Sequence, residues 1–359
     1  MKKNVFITLQ NGVVFQGYRF GSAGNVQGEL VFSTSMVGYV ETLTDPANYG
    51  QIVVQTFPLI GNYGVMKADM QSEKAWVKAY IVRECCDAPS NFRMEDTLDN
   101  FLKEQGVVGV YGVDTRQLTK ILREEGAMNA YISDEPLTQQ QLQNLQSYRV
   151  ENALETVART AREFYEADGA KGKLVFWDMG SKRSAVESLV EKGYSVTVMP
   201  TFATAEEILS EQADGVVIGE GPGNPEENPQ IVAEIKKVLG KTPVLGVGMG
   251  HQLVALALGA KTAKQKYGHR GGNQPVKCVE SGKVYISTQN HDYVVLGDTV
   301  TQGKVSFVNV NDGSCEGVKY PELKAFTVQF DPESCGIGHT ENIVLDEFFH
   351  ALKKENENA

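Results

Sequence analysis

The chain lacks several things whose absence narrows its chemistry. Its five cysteines, Cys85, Cys86, Cys278, Cys315 and Cys335, have no C-x-x-C spacing, so neither a disulfide framework nor a zinc knuckle is indicated. Basic charge is in deficit: 34 Lys and Arg stand against 45 Asp and Glu, a net charge of −11. That balance argues against nucleic acid or an anionic membrane as the main partner. No apolar run approaches a membrane span. Met1-Lys-Lys-Asn leads into a strand-like stretch and does not read as a signal peptide. The expectation is a cytoplasmic protein with reduced thiols.

Nucleotide-binding loops are missing as well. Gly246-x-Gly248-x-Gly250 lacks the full G-x-G-x-x-G spacing and an acidic residue at the distance of a ribose contact. Gly240-Lys241-Thr242 has Ile235 where a phosphate loop needs glycine, and reads as a helix end before a strand.

What is present is 359 residues, 42% hydrophobic and 22% charged, enough for two ordinary cores. From Phe6 to about Ile132 short β-rich runs (29–33, 51–55, 79–83) alternate with Gly, Pro and Asn turns. One amphipathic helix is predicted over Thr115 to Glu125, stopped by Gly126. A polar, Gln- and Glu-rich stretch follows. The division expected is a first domain over 1–150, a connecting region over 151–172 and a second domain over 173–359.

Beyond Lys173 the rhythm is regular. Strands over 174–177, 194–199 and 215–218 alternate with helices over 182–192 and 205–211 and one capped by Asn228 with Pro229 in its first turn. Such alternation implies right-handed crossovers and a mainly parallel sheet covered by helices on both faces. Ligands of such sheets bind beyond the carboxyl ends of the strands. Two glycine-rich turns, 219–225 and 246–250, fall there. The remainder reads as strand-rich to about Phe330, then a helix from about Glu341 to Leu352 and a frayed tail from Lys353.

The second of those turns carries the sharpest signal. An apolar strand (243–247) bends into a helix opening around Met249 to Gln252. Such a turn presents one side chain over a helix N-terminus, where the dipole and free N–H groups lower a thiol's pKa and stabilise an oxyanion. The nucleophile's position is 248, and it holds Gly248.

Gly221-Pro-Gly223 alone is only a turn. Together with the 246–252 elbow, Gln289-Asn-His-Asp-Tyr293 and Val328-Gln-Phe-Asp-Pro-Glu333, it resembles the class I (triad) glutamine amidotransferases in order and spacing. Tyr267-Gly-His-Arg-Gly-Gly-Asn273, Phe32-Ser-Thr-Ser-Met-Val-Gly-Tyr39, Leu43-Thr-Asp-Pro46, Ile60-Gly-Asn62, Ser90-Asn-Phe-Arg93 and Val113-Asp-Thr-Arg116 are similar to the small chain of carbamoyl phosphate synthetase. The likeness runs from about Leu9 to Leu352. It implies a β-rich α/β domain followed by an amidotransferase domain. It also implies a large-chain partner that receives ammonia and makes carbamoyl phosphate, for arginine or pyrimidine synthesis. ATP and magnesium would belong to that large chain, and no cofactor or metal is expected in this one.

By the same resemblance the family's nucleophilic cysteine falls on Gly248, its base histidine on Asp331 and its orienting acid on Glu333. Glutamine contacts fall on Ser35, Gly221, Gly223, Met249, Gln252, Asn290, Asp292 and Tyr293, with Asp292 where the family has a glycine. Two of three triad members are therefore replaced. Gly248 offers no atom to form a thioester, and a carboxylate near its ordinary pKa of about 4 is a poor proton donor at neutral pH. In an extended segment Asp331 and Glu333 would share a face, so one should have a raised pKa or hold a cation. A metal held with His339 or His291 is a weaker reading of that pair. As substitute nucleophiles, Met249 has no ionisable proton and Ser35 sits where the family binds substrate, while Cys335 reads as a packing residue and His251 as a structural one.

The leading expectation is a small-chain homologue that keeps its architecture and large-chain interface and has lost glutaminase activity. Two rivals stand beside it. One is an active glutaminase using Asp331 and Glu333 with water or a metal; the other is a non-catalytic glutamine sensor.

Overall fold

The computed structural model describes residues 3–334 and 342–356, so Cys335, His339 and Glu341 lie outside the described residues. The chain forms two compact units, Met1–Ala153 and Leu154–Ala359.

The first unit contains strands β1 (Asn4–Leu9), β2 (Val14–Gly21), β3 (Val26–Ser33), β4 (Gln51–Gln55), β5 (Leu59–Ile60), β6 (Ala79–Ile81), β7 (Glu84–Cys85), β8 (Val108–Tyr111) and β9 (Met128–Ser133). Its helices are α1 (Tyr39–Thr44), α2 (Leu98–Glu104), α3 (Thr115–Glu125) and α4 (Gln139–Ser147); α5 (Ala153–Val157) starts at its last residue. Seven strands close into a barrel in the order β1-β2-β8-β6-β4-β3-β9, and β5 pairs with β7. Closure leaves those seven without an unpaired edge. The predicted helix over 115–125 is found with the predicted ends: Asp114 caps its first turn by accepting from the Gln117 N–H, and Gly126 ends it at φ 102°.

The second unit adds β10 (Glu163–Tyr165), β11 (Gly172–Trp177), α6 (Arg183–Glu191), β12 (Tyr194–Met199), α7 (Ala205–Ser210), β13 (Gly215–Ile218), α8 (Pro229–Val238), β14 (Val244–Val247) and α9 (Met249–Ala257). After these come β15 (Thr262–Cys278), β16 (Val284–Val295), β17 (Lys304–Asn309), β18 (Cys315–Tyr320), β19 (Ala325–Val328) and α10 (Ile343–Asn356). Ten strands form one sheet in the order β10-β12-β11-β13-β14-β19-β18-β16-β15-β17. Its centre, from β12 to β19, is parallel, as the alternation of elements requires.

Alternate side chains divide between the two faces. Val175, Trp177, Val216, Ile218 and Val244 pack with α8 and α9, while Leu174, Phe176, Val217, Leu245 and Val247 pack with α6 and α10. Central strands buried on both sides are accordingly mostly apolar. Each such side chain contributes about 1.5–3 kcal/mol on burial.

Three expectations change. The stretch 151–172 is not merely connecting: its β10 pairs antiparallel with β12 as the sheet's edge strand. Asn228 precedes α8 but its side chain does not cap it; Nδ2 donates instead to the Asn224 carbonyl at 3.2 Å. The last helix runs on through Lys353 to Asn356.

Edge attachment of residues 158–165 is electrostatic as well. Arg162 donates to both Glu211 carboxylate oxygens (2.8 and 2.9 Å) and Lys173 to one (2.8 Å), which holds the Glu211 carboxyl down at about 2. A carboxyl depressed in the folded state adds stability above its unfolded pKa and loses it as pH falls through the folded value. Arg162 is half exposed, so solvent screening reduces the contribution to about 1 kcal/mol. Glu211→Gln is expected to lower the urea midpoint at pH 7, with the difference from the parent closing as pH drops from about 4.5 towards 2.

Candidate functional site

The carboxyl ends of β11, β13, β14 and β19 converge on one constellation, assembled from local chemistry. After β11 the chain turns at Asp178, whose buried carboxylate accepts from the Gly180 N–H (3.1 Å) and Ser181 N–H (2.7 Å) and pairs with Arg159 Nε (2.8 Å). Burial raises the Asp178 carboxyl, and the two N–H groups and Arg159 only partly offset it. This turn delivers Lys182 immediately before α6.

After β13 the loop carries Glu220 and Gly221. A Cβ on Gly221 would lie 2.0 Å from the Met179 carbonyl oxygen, so only glycine lets the two loops approach this closely. Ser181 Oγ adds a hydrogen bond to the Glu220 carbonyl at 3.1 Å.

After β14 comes the elbow. Gly248 has φ 56° and ψ −110°, a region that strains any residue with a Cβ. Its N–H donates to Val328 O at 2.9 Å, and the Gly250 N–H donates to Gly219 O at 3.0 Å. These bonds tie the turn to β19 on one side and to the β13 loop on the other. A Cβ at position 248 would meet Glu220 Cγ at 3.2 Å.

Beyond β19, Asp331 donates its N–H to Thr288 O at 3.1 Å, and residues 332–334 form a 3-10 turn. Asp331 and Glu333 therefore do not share a strand face as an extended segment would require. They meet through a cation instead. Lys182 Nζ pairs with Asp331 Oδ2, lies 3.4 Å from Glu220 Oε2 and 4.0 Å from Glu333 Oε1. All four side chains are largely buried, with 12% of Lys182 and 8% of Asp331 exposed. One ammonium thus stands among three carboxylates, and the sequence pattern had shown neither Lys182 nor Glu220. The available signal was position, since Lys182 ends the first βα turn of a parallel sheet.

The other residues matched by resemblance are distributed as follows. Gln252 is buried and donates Nε2 to Tyr293 O (2.8 Å) and Gln329 Oε1 (2.9 Å). Met249 is buried in the core between the sheet and its helices. Gly223 is exposed at φ 91°. Asn290 and Asp292 lie two apart on β16, Asn290 opposite Arg270 of β15. Arg270 Nη2 pairs with Asp292 Oδ2 at 2.5 Å. Burial pushes the Asp292 carboxyl up, but the Arg270 guanidinium outweighs it and holds the group below the ordinary range. At the position where the resemblance leads one to expect a glycine, this chain has a buried ion pair. Ser35 belongs to the first unit, where its carbonyl accepts from Gln55 Nε2.

Among the candidates read as packing or structural residues, His251 is fully buried with Nδ1 2.8 Å from Thr327 Oγ1, and burial pushes its imidazole down to about 3. His291 does not join Asp331 and Glu333. Its ring faces Gln289 Oε1 at 3.1 Å and Tyr293 O at 2.9 Å.

The family model described as "Carbamoyl-phosphate synthase small chain, CPSase domain" matches residues 7–132, and the one described as "Glutamine amidotransferase class-I" matches residues 175–351. The carbamoyl phosphate synthase small chain of Clostridium perfringens is 43% identical over 344 residues, covering 95% of this chain and 97% of that protein. That of Fusobacterium nucleatum is 42% identical over 346 residues, covering 95% and 96%. The carbamoyl phosphate synthase pyrimidine-specific small chain of Bacillus subtilis is 40% identical over 349 residues, covering 97% and 95%. Among the described residues no helix is long and apolar enough to cross a membrane.

Proposed function

The chain belongs to the carbamoyl-phosphate synthase small-chain family, and from that premise we propose that it is a partner of a large synthetase chain that no longer hydrolyses glutamine itself. The observation that carries this reading is the pairing of Lys182 with Asp331 beside a position, Gly248, that has no side chain. Thioester formation needs a nucleophilic atom at the elbow, and no heavy atom follows Cα there. The base must be free to take and return a proton, whereas the Asp331 carboxylate is engaged by the Lys182 ammonium. Lys182 also speaks against the rival in which Asp331 and Glu333 hold a metal, because the cation between them is already part of the chain.

In this role the protein would act in the cytoplasm as a scaffold, or as a gate at the point where ammonia enters the large chain. ATP and magnesium would remain with that partner. Gln252, Asn290 and Tyr293, matched by resemblance to glutamine contacts, would at most bind glutamine, beside the buried Arg270–Asp292 pair.

Loss of a whole triad costs roughly 10⁶-fold in turnover, and oxyanion donors alone retain about 10³–10⁴ over water. Ammonia release from glutamine by the chain with its large partner is therefore expected to stay near background, with or without divalent metal. Asp331→Asn should leave it unchanged. Robust turnover that collapses in Asp331→Asn would refute the proposal. Calorimetric heat with glutamine, without hydrolysis, would favour a sensing role over a purely structural one.

A further inference from the structure

The antiparallel half of the second unit's sheet buries a polar cluster that the elbow does not use. His269 of β15 and His291 of β16 are register partners, and Glu316 of β18 is fully buried beside them. One ligand atom from each of the three lies within 4.8 Å of the other two. His269 Nδ1 is 3.2 Å from Glu316 Oε1, and the two rings meet edge to face with centroids 5.1 Å apart.

The hydrogens of the two rings are assigned by their outward partners. His291 Nδ1 lies 2.9 Å from Tyr293 O, a carbonyl that can only accept, so its proton sits there. His269 Nε2 lies 2.9 Å from Asp312 Oδ2, a carboxylate that likewise calls for the N–H. In neutral rings the remaining nitrogens, His269 Nδ1 and His291 Nε2, then carry lone pairs that point inward. His291 Nε2 faces Gln289 Oε1 at 3.1 Å. The Gln289 amide cannot simply turn over, because its Nε2 donates to Glu316 Oε2 at 3.1 Å. The Asn309 amide offers a partial remedy on the other side, 3.1 Å from Glu316 Oε1 and 3.4 Å from His269 Nδ1. Acceptors thus converge on one point, and a positive charge resolves the conflict, either a bound cation or a second proton on His269 Nδ1 given to Glu316.

We propose that His269 Nδ1, His291 Nε2 and the Glu316 carboxylate form a binding site for a divalent first-row metal of the zinc type. Two imidazoles and one carboxylate suit zinc or cobalt rather than magnesium or calcium. The outer partners also match what metal-bound histidines require, since each ring donates its other N–H to a carboxylate or a backbone carbonyl. Donors about 2.0–2.2 Å from a zinc ion lie about 3.3 Å apart in a tetrahedron. The separation of His269 from Glu316 already meets this. A fourth position falls to water or to Gln289 Oε1. Such an ion would staple β15, β16 and β18, and it is independent of whether the elbow is catalytic.

The test uses the full-length chain, freed of metal by chelator and dialysis. Cobalt(II) titration is expected to give one saturable equivalent with visible d–d bands of tetrahedral intensity, displaced by zinc, and zinc should raise the melting temperature. His291→Gln and Glu316→Gln should each weaken binding by at least about 100-fold, while the exposed His350→Gln leaves it unchanged. Circular dichroism checks that the variants fold. If either does not, Asp312→Asn serves in its place, with about 10–100-fold weaker binding expected. Absence of a saturable cobalt spectrum, a melting temperature indifferent to zinc, or equal affinity in folded variants would overturn the site and leave a protonated hydrogen-bond network in its place.

Discussion

Gly248→Cys combined with Asp331→His is expected to raise glutamine hydrolysis by about 10³-fold or more over the unmodified chain, read as ammonia released per chain. The elbow already has the backbone of a nucleophile turn, φ 56° and ψ −110° at the N-terminus of α9, where helix N–H groups favour a thiolate and an oxyanion. Glu333 is within the same cluster to orient an imidazole. Recovery should stop short of the roughly 10⁶ that an intact triad commands. The Glu220 carboxylate stands beside position 248, with its Cγ 3.2 Å from where the Cβ would be placed, and nearby negative charge raises a thiol's pKa. Gly248→Cys by itself should cost about 1–2 kcal/mol of stability, because a residue with a Cβ is strained at positive φ. If the folded double variant releases no more ammonia than its parent, adding Asp292→Gly tests whether the Arg270–Asp292 pair blocks the substrate. Inactivity of that triple variant would mean that the catalytic cleft as a whole has been lost, not just its reacting atoms.

Lys182→Met carries the largest expected effect on stability, a loss of about 3–5 kcal/mol in urea or thermal unfolding. Lys182 is buried against Asp331 and lies close to Glu220 and Glu333. Removing it leaves three carboxylates together without their cation, and the penalty is that of stranded buried charge, not the net value of a salt bridge. Lys182→Met with Asp331→Asn should cost clearly less than the sum of the two single changes, by about 0.5–3 kcal/mol, as expected for groups in direct contact. Additive losses, or a single-variant loss under about 1 kcal/mol, would show that solvent reaches the cluster and that Lys182 does not hold Asp331. Confirmation would tie stability to the proposed loss of activity. The same ammonium that keeps the fold intact would also keep the Asp331 carboxylate engaged.

Much of this was legible along the chain. Local rules account for α3, whose cap Asp114 and stop Gly126 are neighbours of the helix they bound. They also account for β13, whose continuous apolar run suits a doubly covered parallel strand. Gly248 was visible as an anomaly because a strand, a glycine turn and a helix follow each other directly. Less visible was β10, since three polar-flanked residues carry little pattern and their pairing with β12 is decided by a partner some thirty residues on. Closure of the barrel was likewise beyond local signals, because it depends on which non-adjacent strands meet.

The sequence by itself determined the order of elements, the family likeness and the glycine at position 248 of the strand-to-helix turn, because each follows from residue identity and short-range spacing. Tertiary structure alone decided that Asp331 faces Lys182, that Asp292 is neutralised by Arg270, and that His269, His291 and Glu316 come together. The physical reason is range. Propensity and periodicity act within a turn or two of chain, whereas the partner of a buried charged group is whichever one the fold brings within a few ångströms, here from up to 149 residues away.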